Sequence, residues 1–179
     1  MKPCRIHIVG ASSSGTTSLG HALALHLSIP HFDTDDFYWK PSTPEFTEKR
    51  DTPKRLDLME QLFLPRGAWV LSGSLAGWGD PVIPYFDLVI FLQLAHNHRI
   101  ARIKARELAR YGSEALAKGG NRHDHYQAFM QWVASYDDPS FSGRSFIRHQ
   151  AWLEKLNCPV IKLNSEITTQ QMLTEIIKL

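Results

Sequence analysis

The chain has 179 residues, of which 43% are hydrophobic and 21% are charged, and its formal net charge is +2. These values predict one globular domain, residues 1–179, and we expect neither nucleic acid nor a membrane as a partner. The longest apolar run, Leu88–Leu92, is far too short to cross a bilayer. Cys4 and Cys158 lie in no CxxC spacing, which predicts two buried thiols and a reducing, cytoplasmic location.

Apolar patterns of two different periods alternate along the chain. Short apolar runs predict strands at Arg5–Val9, His31–Asp33, Trp69–Ser72, Asp87–Leu94 and Val160–Leu163. Apolar residues at three- and four-residue steps predict helices at 15–27, Thr47–Leu64, His98–Tyr111, 124–136, Phe146–Leu156 and Thr168–Leu179. We expect Thr168 to cap the last helix, Pro30 to close the first, and the proline-containing residues 34–44 to form a loop.

Strands that alternate with helices predict parallel strands joined by crossover helices. The unbroken apolar run Leu88–Leu92 is typical of a parallel strand that is covered on both faces. With the glycine-rich segment Gly10–Thr17 after the first strand, which has the spacing of a phosphate-binding P-loop, this order predicts an α/β protein. The predicted architecture is the three-layer α/β/α P-loop NTPase fold with a five-stranded parallel sheet.

The most informative segment is Gly10-Ala11-Ser12-Ser13-Ser14-Gly15-Thr16-Thr17, which has the glycine spacing of a phosphate-binding P-loop. It follows a strand and opens a helix, which is the context that the motif requires. Backbone amides of such a loop bind anions, and Gly10 and Gly15 permit its tight turn. The residues expected to bind the phosphates of a nucleotide are Gly10, Ser12, Ser13, Ser14, Gly15, Thr16 and Thr17.

Thr16 occupies the position where a P-loop carries lysine. A hydroxyl lacks the positive charge, and losing a hydrogen bond to a charged group costs about 1.5–3 kcal/mol. Two explanations are open. Either another cation replaces the lysine, or the site binds phosphate weakly and performs no chemistry.

Three features resemble the adenylate-kinase-like branch of P-loop small-molecule kinases over essentially the whole chain. They are the loop Gly10–Thr17, the segment Asp33-Thr34-Asp35-Asp36-Phe37-Tyr38-Trp39, and a basic helix that precedes a long excursion. This branch includes nucleoside monophosphate, shikimate and gluconate kinases and poorly characterised bacterial relatives. The resemblance implies the fold, ATP and Mg²⁺ as cofactors, phosphoryl transfer to a small-molecule acceptor, and a role for Thr17 in holding Mg²⁺.

Arginines recur on the basic helix at three- and four-residue steps, which places them on one helix face: Arg99, Arg102, Arg106 and Arg110. The resemblance implies that residues 112–143 form a lid and that the flanking arginines clamp the transferred phosphoryl group. A permanently charged, forked guanidinium suits that task. On this basis Arg106 and Arg144 are expected to be catalytic, and Arg102 and Arg148 to bind the nucleotide. A solvated helix face is the alternative for each.

The ends of the second and third predicted strands carry the remaining candidates. Ligands of open α/β sheets bind beyond the carboxyl ends of strands. We therefore expect Asp33 or Asp35 to orient the metal or to accept a proton from the acceptor, with a helix cap or turn as the alternative. Residues 37–66 are expected to bind the acceptor, with Trp39 packed in the core. The other residues expected to contact the acceptor are Gly73, Ser74 and Trp78.

The leading hypothesis is an ATP-dependent phosphotransferase that acts on a nucleotide or metabolite through a loop without lysine. The alternative is a non-catalytic nucleotide- or phosphate-binding protein, and Thr16 is its chief support. An NTPase acting on nucleic acid or protein is less favoured. The strongest predicted strand is followed by Ala95 rather than an acidic residue, and the small net charge does not indicate a surface that binds nucleic acid.

Overall fold

The computed structural model describes residues 1–43 and 45–178, which include a sheet of five parallel strands. The strands are β1 (Arg5–Gly10), β2 (His31–Asp33), β3 (Trp69–Ser72), β4 (Leu88–Gln93) and β5 (Val160–Asn164). Their spatial order is β2-β3-β1-β4-β5, with β1 at the centre. The predicted α/β fold with a five-stranded parallel sheet is confirmed.

Each predicted helix corresponds to a helix of the structure. The helices are α1 (Thr16–Leu27), α2 (Thr34–Tyr38), α3 (Thr52–Leu62), α4 (His96–Leu116), α5 (His123–Ala134), α6 (Phe146–Leu153) and α7 (Thr169–Ile177). Short 3-10 helices at Asp80–Tyr85 and Ser135–Asp137 were not predicted. Pro44, in the predicted loop, and Leu179, at the end of the last predicted helix, lie outside the described residues.

The sheet separates two hydrophobic clusters because successive side chains of a strand point to opposite faces. On one face Ile6 and Ile8 of β1 lie in a cluster with residues of α1 and α7. On the other face Val89 and Phe91 of β4 lie in a cluster with residues of α3 and α6. Fully burying one such side chain stabilises the fold by about 1.5–3 kcal/mol. Helices therefore cover both faces, and the layers are α/β/α.

The prediction of a loop over residues 34–44 was wrong at its start, where α2 lies. Asp33 caps this helix, since its Oδ1 accepts a hydrogen bond of 3.0 Å from the backbone nitrogen of Asp35. Pro41 lies beyond the end of α2 at Tyr38, so the proline does not oppose the helix. The cap that was the alternative role of Asp33 is therefore present.

Local backbone signals decide two helix boundaries. Helix α1 ends at Leu27 as predicted, but Ser28 ends it with a left-handed φ of 55°, two residues before Pro30, which was expected to close it. Helix α3 begins at Thr52, later than predicted, because Pro53 is tolerated only in the first turn of a helix.

Later helices also depart from their predicted bounds. Helix α4 is longer at both ends than predicted, and Gly112 interrupts it with non-helical angles (φ 78°, ψ 160°). Helix α6 ends at Leu153, earlier than predicted. Thr168 caps α7 as predicted, with its hydroxyl accepting a hydrogen bond from the backbone nitrogen of Gln171.

Cys4 and Cys158 are free and only partly buried, so the prediction of two buried thiols was wrong. Each packs at the rim of a hydrophobic cluster, and burial raises the pKa of both thiols. Among the described residues, no helix has the length and apolarity that a membrane span requires.

Candidate active site

A cavity of about 1120 Å³ opens where β1, β2 and β3 end. Because parallel strands end at the same edge of a sheet, the segments after these three strands meet there. Helices α4 and α5 and the start of α7 supply further walls. The cavity is lined by most of the predicted site residues: Ser12, Ser13, Gly15, Thr16, Thr17, Asp33, Asp35, Gly73, Ser74, Trp78, Arg102, Arg106, Arg144 and Arg148.

The glycine-rich loop turns tightly into α1. Gly15 caps this helix with a left-handed φ of 95°, a conformation that glycine adopts without a steric penalty. The first turn of α1 carries no acidic residue of its own, and the positive end of the helix dipole faces the cavity. Gly10 and Ser14 do not line the cavity. The Ser14 hydroxyl is buried beneath the loop, close to Gly10, and finds no hydrogen-bond partner within residues 1–43 and 45–178.

Asp33 is the hub of a hydrogen-bond network. Its Oδ2 accepts from the hydroxyls of Thr17 at 2.7 Å and Ser72 at 2.9 Å. Ser72 Oγ lies 3.0 Å from Nε2 of His31, and burial lowers the pKa of His31 to about 4. With the cap bond from Asp35, these contacts fix the orientation of the Asp33 carboxylate at the end of β2.

The Asp35 carboxylate is exposed to the cavity, and within the described residues it accepts no hydrogen bond. The cavity walls still remove much of its solvent. This desolvation, helped by the negative charge of Asp33, raises the pKa of Asp35. Asp35 is therefore a carboxylate that is free to take a proton, whereas Asp33 is committed to the three donors around it.

The arginines of the cavity differ in whether they already have a partner. Arg102 donates to the carbonyl of Ser165 at 2.9 Å, and Arg148 donates to the carbonyl of Ser142. Arg106 pairs at 2.9 Å with Glu107, a carboxylate that is almost fully buried. Arg99, on the same helix, does not line the cavity.

Arg144 is the exception. Within residues 1–43 and 45–178 its guanidinium makes no hydrogen bond or ion pair, and it lies 5.1 Å from the ring of Trp132. Burial lowers its pKa, while Asp35 acts in the opposite direction. A largely desolvated guanidinium without a partner, facing a cavity, is a site for an anion.

Gly73 and Ser74 follow β3 at the floor of the cavity. Gly73 has φ of 109°, and a Cβ there would lie 1.9 Å from the Thr34 hydroxyl, so only glycine fits. The Ser74 hydroxyl lies 3.2 Å from Nε2 of the buried His149. Nδ1 of the same ring lies 2.8 Å from the hydroxyl of Tyr136, so a polar chain runs from the cavity floor to the end of the predicted lid.

Sequence reasoning missed several cavity residues. Lys49, Phe46, Phe129 and Trp132 line the cavity but follow no motif. Trp39 also lines it and lies outside the core clusters, so the prediction of a core role for Trp39 was wrong. The density of aromatic residues in 37–46 and 126–132 was the available signal.

No protein-family model matches the chain. The Bacillus subtilis (strain 168) protein named "Uncharacterized protein YqaC" is 39% identical over 172 residues, which span 96% of this chain and 94% of that protein. The chain belongs to the YqaC family. The match extends over nearly the whole length of both proteins.

Solved structures resemble the YqaC-family chain in fold. A shikimate kinase from Acinetobacter baumannii, in complex with shikimate, has a TM-score of 0.60 at 17% identity, covering 99% of this chain and 92% of that one. Shikimate kinase from Aquifex aeolicus vf5 has a TM-score of 0.55 at 16% identity, and the match covers 97% of this chain and 94% of that one. A gluconokinase from Sinorhizobium meliloti 1021 has a TM-score of 0.53 at 15% identity, and the match covers 98% of this chain and 90% of that one. At these identities the likeness shows the P-loop kinase fold alone.

Proposed function

We propose that this protein is a small-molecule kinase that transfers the γ-phosphoryl group of ATP to a hydroxyl of an acceptor. The observation that carries the proposal is the guanidinium of Arg144, which has no hydrogen bond or ion pair among the described residues and shares one cavity with the glycine-rich loop and the carboxylate of Asp35. An anion clamp, a phosphate-binding loop and a base recur in sites of phosphoryl transfer, together with Mg²⁺.

The residues present fit a nucleoside triphosphate and Mg²⁺. The amides of Ser12, Ser13, Gly15 and Thr16 belong to a loop that lines the cavity at the positive end of α1. Thr17 and Asp33 supply the hard oxygen ligands that Mg²⁺ prefers, directly or through water. Bound Mg²⁺ supplies neutralising charge to the phosphate oxygens.

Asp35 is the proposed general base. The acceptor oxygen forms a bond to the γ-phosphorus, the bond from that phosphorus to the β,γ-bridging oxygen breaks, and ADP leaves. The hydroxyl proton passes to Asp35, whose raised pKa suits a proton acceptor better than an ordinary carboxylate does. This assigns the metal to Asp33 and the proton to Asp35, the two roles between which the sequence did not decide.

Arg144 is the proposed replacement for the missing lysine charge. Among the described residues its guanidinium has no hydrogen bond or ion pair to break when it binds the transferred phosphoryl group. Arg106, Arg102 and Arg148 act as supporting cations. In this proposal residues 37–66 enclose the acceptor and residues 112–143 close over both ligands, which excludes water from the reaction.

A non-catalytic phosphate-binding protein is the second candidate, because Thr16 lines the cavity where a lysine would stand. The two candidates differ in turnover rather than in binding. A panel of small hydroxyl compounds incubated with Mg·ATP and read by ADP release separates them. Binding of Mg·ATP without ADP release for any acceptor supports the second candidate and contradicts the kinase.

Variants then test the roles. Asp35→Asn is expected to lower kcat about 10²–10⁴-fold, the usual contribution of a general base. Arg144→Met keeps the length of the side chain and removes its charge, and we expect a loss of similar order. Asp36→Asn and Lys162→Met are the controls, since neither residue lines the cavity and neither lies in the acceptor segment 37–66. Wild-type rates in both site variants would overturn the assignment.

A further inference from the structure

Two groups of aromatic side chains face the cavity from different elements. The first, called the acceptor wall, comes from the segment after β2 and from the loop after β3 and consists of Tyr38, Trp39, Phe46 and Trp78. The second, called the lid wall, consists of Phe129 and Trp132 on α5. Within the lid wall the two rings are stacked, with centroids 6.1 Å apart and an interplanar angle of 18°.

Core packing does not account for these rings. All six are only half-buried, whereas core aromatics such as Phe63 and Trp69 are fully buried. Of the six, only Trp78 lies at the edge of a core cluster among the described residues. Phe46 also has a left-handed φ of 62°, which is strained for a residue with a side chain. Strain that places a half-exposed ring in a cavity points to a ligand.

Arg144 lies next to the lid wall. Its guanidinium is 5.1 Å from the ring of Trp132, and it lines the same cavity as Asp35 and as Tyr38 of the acceptor wall. The space between the walls therefore adjoins both the proposed base and the proposed phosphoryl clamp. An acceptor held there has its hydroxyl next to the reacting groups.

We infer that the acceptor is a molecule with a flat aromatic ring that lies between the two walls, an inference that rests on the proposed kinase function. The faces of aromatic rings offer stacking and cation–π contact but no strong hydrogen-bond acceptors. A hydroxy acid without an aromatic ring has no flat π face to stack on these rings, and its hydroxyls lose water wherever they lie against a ring face instead of a polar group. The shikimate and gluconate kinases that share the fold are named for acceptors without an aromatic ring.

Calorimetry in the presence of a non-hydrolysable Mg·ATP analogue tests the inference. Adenosine, cytidine and pyridoxine serve as aromatic probes with a primary hydroxyl, and shikimate and gluconate as non-aromatic ones. We expect at least one aromatic probe to bind tenfold or more tightly than either non-aromatic probe. Equal or tighter binding of shikimate or gluconate, or no aromatic binding at 1 mM or below, would overturn it.

Ring variants locate the binding. Trp132→Leu and Phe46→Leu, one from each wall, are each expected to weaken the aromatic probe roughly tenfold. Tyr126→Leu is the matched control, because Tyr126 lies on the same helix as Trp132 but does not line the cavity. Wild-type affinity in both wall variants would contradict the inference even if the aromatic probe binds.

Turnover separates this inference from the proposed function. Phosphorylation of shikimate or gluconate by Mg·ATP, with no aromatic preference, keeps the kinase proposal and overturns the aromatic acceptor. Selective aromatic binding that both wall variants weaken, without ADP release, supports the aromatic site and contradicts the kinase.

Discussion

The hydroxyl of Thr17 donates a hydrogen bond to the carboxylate of Asp33, with 2.7 Å between Thr17 Oγ1 and Asp33 Oδ2. The contact joins the first turn of α1 to the end of β2. Since both oxygens belong to groups that we propose as Mg²⁺ partners, their contact indicates that the metal site is largely formed before a metal binds. A preformed site loses less conformational entropy on binding.

The first prediction concerns this pair. Asp33→Ala removes the oxygen that orients Thr17, and we expect the affinity for Mg²⁺ in the presence of ATP to fall about 10–100-fold, as for other groups that orient metal ligands. Calorimetric titration of Mg²⁺ into the ATP-bound protein measures it. Asp36→Ala is the control, because Asp36 lies outside the cavity lining. Equal Mg²⁺ affinity in the two variants would place the metal elsewhere.

The second prediction concerns the missing lysine. Thr16→Lys restores an ammonium group to a side chain that lines the cavity, and a charge-assisted contact to phosphate is worth about 1.5–3 kcal/mol. We expect ATP to bind about tenfold or more tightly in this variant. Thr16→Met is the control for side-chain length. If the lysine variant binds ATP no better than the methionine variant, phosphate does not lie against this position.

The third prediction concerns the polar chain at the cavity floor. Tyr136→Phe leaves Nδ1 of the buried His149 without a partner, which costs about 1–3 kcal/mol. We expect that loss in the free energy of unfolding, measured by urea denaturation. Tyr126→Phe, on a partly exposed side chain of α5, is expected to have no effect. If Tyr136→Phe is as stable as the control variant, the polar chain contributes nothing to the free energy of unfolding.

The fourth prediction concerns pH. His7 is fully buried beside Phe86 and Trp152, and burial lowers its pKa to about 4 from the ordinary 6.5. Between pH 6.5 and 4 the unfolded chain binds this proton and the folded chain does not, so stability falls as the pH falls. From His7 alone we expect about 2 kcal/mol less stability at pH 5 than at pH 7.

Urea denaturation of His7→Phe at both pH values checks the expectation. The variant lacks the titrating group, so its stability is expected to fall less on acidification than that of the wild type. His26 is exposed and serves as the control. His26→Phe is expected to lose as much stability on acidification as the wild type does. An identical fall in the His7 variant would mean that His7 already titrates normally in the folded protein.

Arg106 and Arg144 differ in what their substitution does to the folded protein. We expect Arg106→Ala to lower the free energy of unfolding as well as turnover. Arg106 pairs with Glu107, which is almost fully buried, so removing the guanidinium also leaves a buried carboxylate unpaired. Arg144 has no such partner among the described residues, so its variant separates turnover from stability more cleanly.

Local patterns were sufficient for the strands, the glycine-rich loop and the cap at Thr168. Each of these depends on residues within a few positions of one another: short apolar runs, a glycine spacing, and a threonine three residues before Gln171. They failed at α2, where a cap at Asp33 outweighed the proline signal, and at the boundary of α3, where Pro53 set the start.

The sequence by itself determined the order of strands and helices, and with it the parallel sheet and the edge where the loop and the aspartates meet. Only the tertiary structure decided which charges in that edge are free. Arg102 is engaged by Ser165, 63 positions away, and Arg110 by Glu45, 65 positions away, while Arg144 is left open. Pairing between distant segments follows from chain packing, and no local spacing encodes it.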